Sequence, residues 1–196
     1  MKRVLDLVNA RRGHFRLESG YHASLFLDLE TLCLTPASVR PLASALATKL
    51  APHRVDAVCG PLVEGAFVAM QVAEASACAF TYATRQPAGK SSGLFSVRYS
   101  VPEALHPHVR GKRVAVVNDV ISAGSAVLGT IADLQEIGAD VVVVSTLLLL
   151  GDAFREFAGN LSLPIEYLEH EAYEFWTPEA CPLCAAGEEL DEVADA

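Results

Sequence analysis

The chain has 196 residues, of which 52% are apolar, and its 24 acidic residues outweigh 15 Lys and Arg to give a formal net charge of −9. This composition excludes a disordered chain, and the acidic balance argues against a nucleic-acid binder that relies on a basic surface. The longest apolar run, 141–150, is too short for a membrane-spanning helix, which needs roughly 20 residues. Asp6 comes too early for a signal peptide, so we expect no membrane segment and a cytoplasmic protein with reduced thiols.

The N-terminal segment predicts a small hood ahead of the main body. Residues 2–10 are typical of a short helix, and the stretches 15–17 and 25–30 alternate apolar and polar residues as half-buried strands do. A Ser-Gly turn signal separates the two stretches. We therefore predict a hairpin or hood over about residues 1–34.

The rest of the chain alternates predicted strands and helices. In chain order these are a helix at 36–50 capped by Thr35, a strand at 55–59, a helix at 64–77, strands at 80–83 and 113–117, a helix at 125–138, a strand at 141–150, a helix at 152–160 and a strand at 165–168. Continuously apolar strands indicate an α/β fold with a parallel sheet flanked by helices on both faces. We predict one domain over 1–187, hood included, and an acidic, mobile tail over 188–196.

Ligands of such sheets bind at the carboxyl ends of the strands, so the loops after Cys59, Ala83 and Val117 should line a site. The strongest local signal follows the third of these strands: Asn118, Asp119, Val120, Ile121, Ser122, Ala123, Gly124, Ser125. Its small residues let backbone N–H groups close around an anion at the start of a helix, and Asp119 can accept hydrogen bonds from sugar hydroxyls. The alternative is an ordinary strand-to-helix turn with a serine as N-cap.

This segment resembles the phosphoribosyl pyrophosphate (PRPP) binding signature of type I phosphoribosyltransferases. Three further segments narrow the resemblance to the orotate phosphoribosyltransferases. Residues 13–22 are similar to their N-terminal hood motif, 60–66 to their pyrophosphate loop, and 178–184 to a C-terminal motif of one bacterial subgroup. The resemblance covers roughly residues 10–187.

The resemblance implies the type I phosphoribosyltransferase fold and transfer of ribose 5-phosphate from PRPP to a pyrimidine base. With orotate the products would be orotidine 5′-monophosphate and pyrophosphate, a step of UMP biosynthesis, with Mg²⁺ carried by PRPP. It also implies a homodimer, in which the catalytic loop reaches the neighbouring subunit's site. The PRPP-binding residues implied are Asn118, Asp119, Ser122, Ala123, Gly124, Ser125, Gly60, Pro61, Glu64 and Gly65. The catalytic residues implied are Asp119, Arg85 and Lys90. The residues implied to bind the base are His22 and Phe26.

Departures from the family pattern bear on the activity. Asn118 stands where the first of two adjacent acids is usual, and Glu64 stands where a Gly is usual. After Arg85 the family has Lys-x-x-Lys-x-His-Gly, whereas here Gln86 replaces the first Lys and the second is absent or shifted to Lys90. Two hypotheses stay open: an active transferase with a modified loop, and a related protein that binds PRPP or a nucleotide without turnover, as a regulator.

Cys181 and Cys184 form a Cys-x-x-Cys pair near the C-terminus. Zinc usually needs four ligands, and the nearest further candidate in the sequence is His170. A redox dithiol is typically found at a helix N-terminus after a strand, which this context does not predict. We interpret the pair as structural or incidental thiols, with a disulfide or an intersubunit metal as the alternatives.

Overall fold

The computed structural model describes residues 3–16, 21–86, 98–159 and 161–192. The described helices are α1 (Pro36–Leu50), α2 (Glu64–Ser76), α3 (His106–Val109), α4 (Ser125–Ile137), α5 (Ala153–Gly159) and α6 (Pro182–Ala185). The described strands are β1 (Arg11–Arg16), β2 (His22–Phe26), β3 (Ala57–Pro61), β4 (Ala79–Arg85), β5 (Tyr99–Ser100), β6 (Arg113–Ile121), β7 (Asp140–Leu150), β8 (Ile165–Glu171), β9 (Phe175–Trp176) and β10 (Asp191–Glu192). Among these helices, none is both long enough and apolar enough to cross a bilayer.

The main sheet has the order β5-β4-β3-β6-β7-β8 and is parallel except for the edge strand β5. This confirms the predicted parallel sheet. Strand β6 is buried on both faces: Ala115 and Val117 join the core formed with α1 and α2, whereas Val114 and Val116 join the core formed with α4. Two cores on opposite faces therefore explain why this strand is continuously apolar.

The structure corrects several predicted boundaries. The N-terminal helix is a single 3-10 turn, Val4–Asp6, because Asn9 takes a left-handed conformation (φ 44°) that ends helical geometry. The second hood strand ends at Phe26, and Thr35 occupies the N-cap position of α1 without a side-chain capping bond. The largest change is that β6 continues to Ile121, because the residues after Val117 keep pairing with β7.

The predicted hairpin is part of a four-stranded sheet with the order β10-β1-β2-β9. Strands β1 and β2 are antiparallel, and the two outer strands come from the C-terminal part of the chain. The first residues of the tail predicted to be mobile from residue 188 make backbone contacts with the hood. Backbone pairing holds β10 parallel to β1, and the Glu188 carbonyl accepts a bond from His14. Residues 193–196 lie outside the described residues.

Candidate active site

The carboxyl ends of β3, β4 and β6 meet at one edge of the main sheet, as the topology predicts. Pro61 on β3 pairs with Ala83 on β4, and Asn118 on β6 pairs with Thr146 on β7. Cys59 pairs with Val116, so Asn118 lies level with Pro61 across the β3–β6 ladder. We call the residues gathered here the strand-end site; its members are Gly60, Pro61, Glu64, Gly65, Asn118, Asp119, Ser122, Ala123, Gly124 and Ser125.

The two halves of the strand-end site touch at Gly65 and Asn118. A Cβ atom on Gly65 would lie 2.0 Å from Asn118 Oδ1, so only glycine allows this approach. Gly60 is equally confined, since its Cβ would lie 2.7 Å from the Gly65 carbonyl oxygen. Asn118 is held from the other side, where its Nδ2 donates to the Val120 carbonyl over 2.8 Å. The predicted pyrophosphate and PRPP segments are therefore in direct contact.

Helix α4 begins at Ser125 with its N-terminus uncapped by any side chain of the described residues. Its N-cap residue is Gly124, whose φ of 81° suits glycine, and the Leu128 N–H bonds to the Gly124 carbonyl over 2.9 Å. The alternative of a serine N-cap is thus wrong. The first-turn N–H groups of this helix stay available to an anion, and the helix dipole favours negative charge there.

Asp119 is the buried acid of the site, with only 4% of its surface exposed. Its carboxylate accepts hydrogen bonds from its own N–H and that of Val120, but Oδ2 has no partner among the described residues. Its carbonyl oxygen accepts from the Thr146 hydroxyl over 2.9 Å, which fixes the strand end. Burial, with a smaller contribution from the nearby Glu64 charge, raises the pKa of Asp119 to about 7, although the two backbone hydrogen bonds act to lower it.

Cys33 is a neighbour of these acids that sequence reasoning missed. Burial, together with smaller contributions from the charges of Asp119 and Glu64, raises the pKa of its thiol to about 11. No motif surrounds Cys33, which follows the 3-10 turn Leu29–Thr31. Only the fold brings it near the carboxylates.

Arg85 ends β4 at the same sheet edge and is exposed. It pairs with Tyr99 of β5, and the next residue, Gln86, donates its backbone N–H to the Arg98 carbonyl over 2.8 Å. The β4–β5 ladder therefore anchors both ends of the segment that should carry the catalytic loop. Lys90, the predicted cation of that loop, lies outside the described residues.

The sequence that builds this site matches a known family. Residues 34–160, more than half of the chain, match the family described as "Phosphoribosyl transferase domain". The chain belongs to the phosphoribosyltransferase family.

Relatives of this phosphoribosyltransferase belong to its orotate branch. An orotate phosphoribosyltransferase from Desulforamulus reducens is 30% identical over 89% of this chain and 84% of that protein. One from Thermotoga maritima is 30% identical over 95% of this chain and 93% of that protein. The solved orotate phosphoribosyltransferase of Mycobacterium tuberculosis bound to inorganic phosphate shares the fold at a TM-score of 0.63, with 22% identity over 85% of this chain and 90% of that one.

The two residues predicted to bind the base lie in the hood of this phosphoribosyltransferase. The Phe26 ring is 5.8 Å from the Phe15 ring and 5.0 Å from the Arg11 guanidinium carbon. His22 is 5% exposed, and its Nδ1 lies 3.0 Å from His14 Nε2. The polar side chains around the His22 ring are His14 and the Cys-x-x-Cys pair, and none of these residues belongs to the strand-end site.

Proposed function

We propose that this protein transfers ribose 5-phosphate from PRPP to orotate, giving orotidine 5′-monophosphate and pyrophosphate in the pathway to UMP. The observation that carries the proposal is Asp119, a buried carboxylate with one unpartnered oxygen beside the uncapped start of α4. A buried polar atom without a partner is costly, so a site built around one is completed by its ligand. The names of its relatives select orotate as the acceptor.

The 5′-phosphate would bind at Ser122–Ser125. The segment supplies two hydroxyls and, with the first turn of α4, backbone N–H donors, and Gly124 adopts the left-handed conformation that leads into the helix. Asp119 would accept hydrogen bonds from the ribose hydroxyls through Oδ2. As the anomeric C–O bond breaks, positive charge develops on the ribose, and a nearby carboxylate stabilises that charge.

The residues of the site also suit Mg²⁺, which prefers carboxylate and carbonyl oxygens. Asp119 and Glu64 provide two carboxylates, and the charge of one is felt by the other. Bound with PRPP, Mg²⁺ would neutralise part of the pyrophosphate charge. We propose that Glu64 supplies the negative charge that Asn118 does not, since Glu64 precedes the glycine that contacts Asn118.

We also propose a homodimer. The outer face of α2 and the N-cap residue before it expose apolar side chains at a spacing of four and three: Val63 (54% exposed), Phe67 (43%) and Met70 (49%). Such a stripe on a surface helix favours contact with another protein surface, and a second copy fits the family resemblance. Light scattering should give twice the chain mass, and Phe67→Glu should give a monomer; a monomeric wild type would contradict the proposal.

A cytoplasmic location stays a prediction. It is supported by the five cysteines, none of which forms a disulfide in the structure.

The deciding experiment is the loss of orotate absorbance when the protein is mixed with PRPP and Mg²⁺. Turnover that disappears in Asp119→Asn supports the proposed reaction. Calorimetric binding of PRPP without orotate consumption would instead identify a non-catalytic binder. Absence of both binding and turnover would overturn the assignment of the strand-end site.

A further inference from the structure

We propose that the hood holds a structural zinc ion between His14, His22, Cys181 and Cys184, which we call the hood cluster. One ligand atom from each residue, an imidazole nitrogen or a Cys Sγ, lies within 4.8 Å of the other three. Two imidazoles and two thiols are a common ligand set for structural zinc. The proposal goes beyond the proposed function, since none of the four residues belongs to the strand-end site.

The distances between the ligand atoms fit a tetrahedral ion. With Zn–N of about 2.0–2.1 Å and Zn–S of about 2.3 Å, the two nitrogens lie about 3.3 Å apart and each nitrogen about 3.5 Å from each sulfur. His14 Nε2 is 3.0 Å from His22 Nδ1, 3.4 Å from Cys181 Sγ and 3.7 Å from Cys184 Sγ. Cys184 Sγ is 3.3 Å from His22 Nδ1. A single ion at the centre can therefore reach all four atoms with small adjustments.

The tautomer of His14 is already set for metal binding. Its Nδ1 lies 3.0 Å from the Glu188 carbonyl oxygen, which can only accept, so Nδ1 carries the proton. In the neutral ring Nε2 is then a bare lone pair facing the cluster. A backbone carbonyl behind a ligating histidine is the arrangement by which proteins orient zinc ligands. Without an ion, three polar atoms would compete for that lone pair.

The chain path explains what the ion would stabilise. His14 and His22 sit on adjacent strands β1 and β2, whereas Cys181 precedes α6 and Cys184 lies within it. The ion would tie the N-terminal hairpin to a segment more than 150 residues away in the sequence. His14, His22 and Cys181 are buried, with 3%, 5% and 3% of their surface exposed, and Cys184 closes the cluster from the solvent side. Four protein ligands leave no open position, which indicates a structural ion.

The sequence alone offered only two cysteines and no clear further pair of zinc ligands, and the structure resolves this difficulty. His170, the nearest further candidate, belongs to a different place, since its Nε2 lies 3.1 Å from the Gly151 carbonyl oxygen. The missing two ligands come from the hood instead.

The test measures metal content and does not depend on activity. The full chain, produced with zinc in the medium and freed of loose metal by gel filtration, should contain about one zinc ion per chain by mass spectrometry. Cys184→Ser, at an exposed position, should lose at least nine tenths of that zinc, whereas the matched control Cys78→Ser should keep it. Equal zinc in Cys184→Ser and wild type, or a metal-free wild type, would overturn the proposal.

Cobalt gives a second measurement on the folded wild type. Co²⁺ replacing the ion should produce the visible bands of a tetrahedral site and thiolate-to-cobalt charge transfer, with the latter reduced in Cys184→Ser. An octahedral spectrum, or a Cys181–Cys184 disulfide in the protein as purified, would contradict a zinc site. Either result leaves the orotate assay untouched, so the two proposals fail separately.

Discussion

The strand-end site and the hood cluster both place polar side chains in buried surroundings, but the polar atoms are arranged differently in the two places. At the strand-end site, polar groups lack partners: Asp119 Oδ2 is buried without one, and no side chain among the described residues caps α4. In the hood cluster the ligand atoms face one another within 4.8 Å. Unpartnered groups on neighbouring elements suit a substrate that arrives and leaves, whereas four ligand atoms gathered around one point suit an ion that stays. The surroundings of a buried polar group therefore indicate which kind of ligand completes it.

The largest expected effect comes from Asp119→Asn. Losing charge-assisted contacts to the ribose, each worth about 1.5–3 kcal/mol, should lower kcat/KM about 10²–10⁴-fold. The fold should survive, because the amide fits the same space and need not be desolvated as a charge. Steady-state kinetics beside a melting curve would measure both. Asp152→Asn, whose side chain is 66% exposed, is the matched control and should behave as wild type. Unchanged activity in Asp119→Asn would show that the unpartnered oxygen is not where substrate binds.

The same carboxyl predicts how stability changes with pH in the absence of Mg²⁺ and PRPP. Its pKa is about 7 in the folded state, above the value near 4 of an unfolded chain. Below both pKa values the carboxyl is neutral in the folded and unfolded chain, so its burial carries no penalty for a buried charge. As pH rises from about 4 to 7 the folded state keeps a proton that the unfolded state releases, so the free energy of unfolding falls by up to about 4 kcal/mol.

Urea unfolding of wild type and Asp119→Asn across this pH range isolates the effect. The variant lacks the carboxyl, so the stability of wild type relative to the variant should decline steadily with rising pH. A difference that stays constant would mean that the pKa of Asp119 is the same in the folded and unfolded chain, and that its Oδ2 is better solvated than its burial indicates.

The strand-end site could be predicted because it is built from short continuous segments. Residues 118–125 carry their own strand, turn and helix start, and parallel strand ends meet at one edge in any sheet of this kind. The detail that failed was where β6 ends. Asn118 and Asp119 are polar residues that suggest a loop, yet pairing with Thr146 and its neighbours on β7 keeps them in the strand. The end of β6 is therefore set by its pairing with β7 and not by the local composition of the chain.

The hood cluster could not be predicted in the same way. Its cysteines are visible as a Cys-x-x-Cys pair, and its histidines as single residues eight positions apart. Their meeting depends on β9 and β10 joining the hairpin from the C-terminal end, and neither two-residue strand has a periodic signal of its own. Contacts between distant segments follow from topology, which a single sequence leaves open.

Gly124→Ala tests how tightly the turn before α4 is packed. Its φ of 81° disfavours a side chain, and a Cβ there would lie 2.2 Å from Phe154 Cδ2. The backbone penalty and the overpacking together should lower the free energy of unfolding by about 2–4 kcal/mol. Gly111→Ala is the matched control, since its φ is 67° and no atom lies within 4 Å of the added Cβ. Denaturant melts giving equal losses for the two variants would contradict a role for the Phe154 contact.

The smallest effect is expected at the surface of the hood. The Arg12 guanidinium pairs with Glu171, but 67% of the Arg12 side chain is exposed, and Arg3 pairs with the same carboxylate over 3.5 Å. Exposed ion pairs contribute little, so Arg12→Ala should lower the free energy of unfolding by less than about 1 kcal/mol.

Cys184→Ser should lower the free energy of unfolding by more than this in the zinc-bound protein, because it removes a ligand that joins β2 to α6. Urea melts of both variants give the ranking, with Arg155→Ala as an ion-pair control outside the hood. If Arg12→Ala lowered the free energy of unfolding more than Cys184→Ser, surface ion pairs rather than the hood cluster would stabilise the hood.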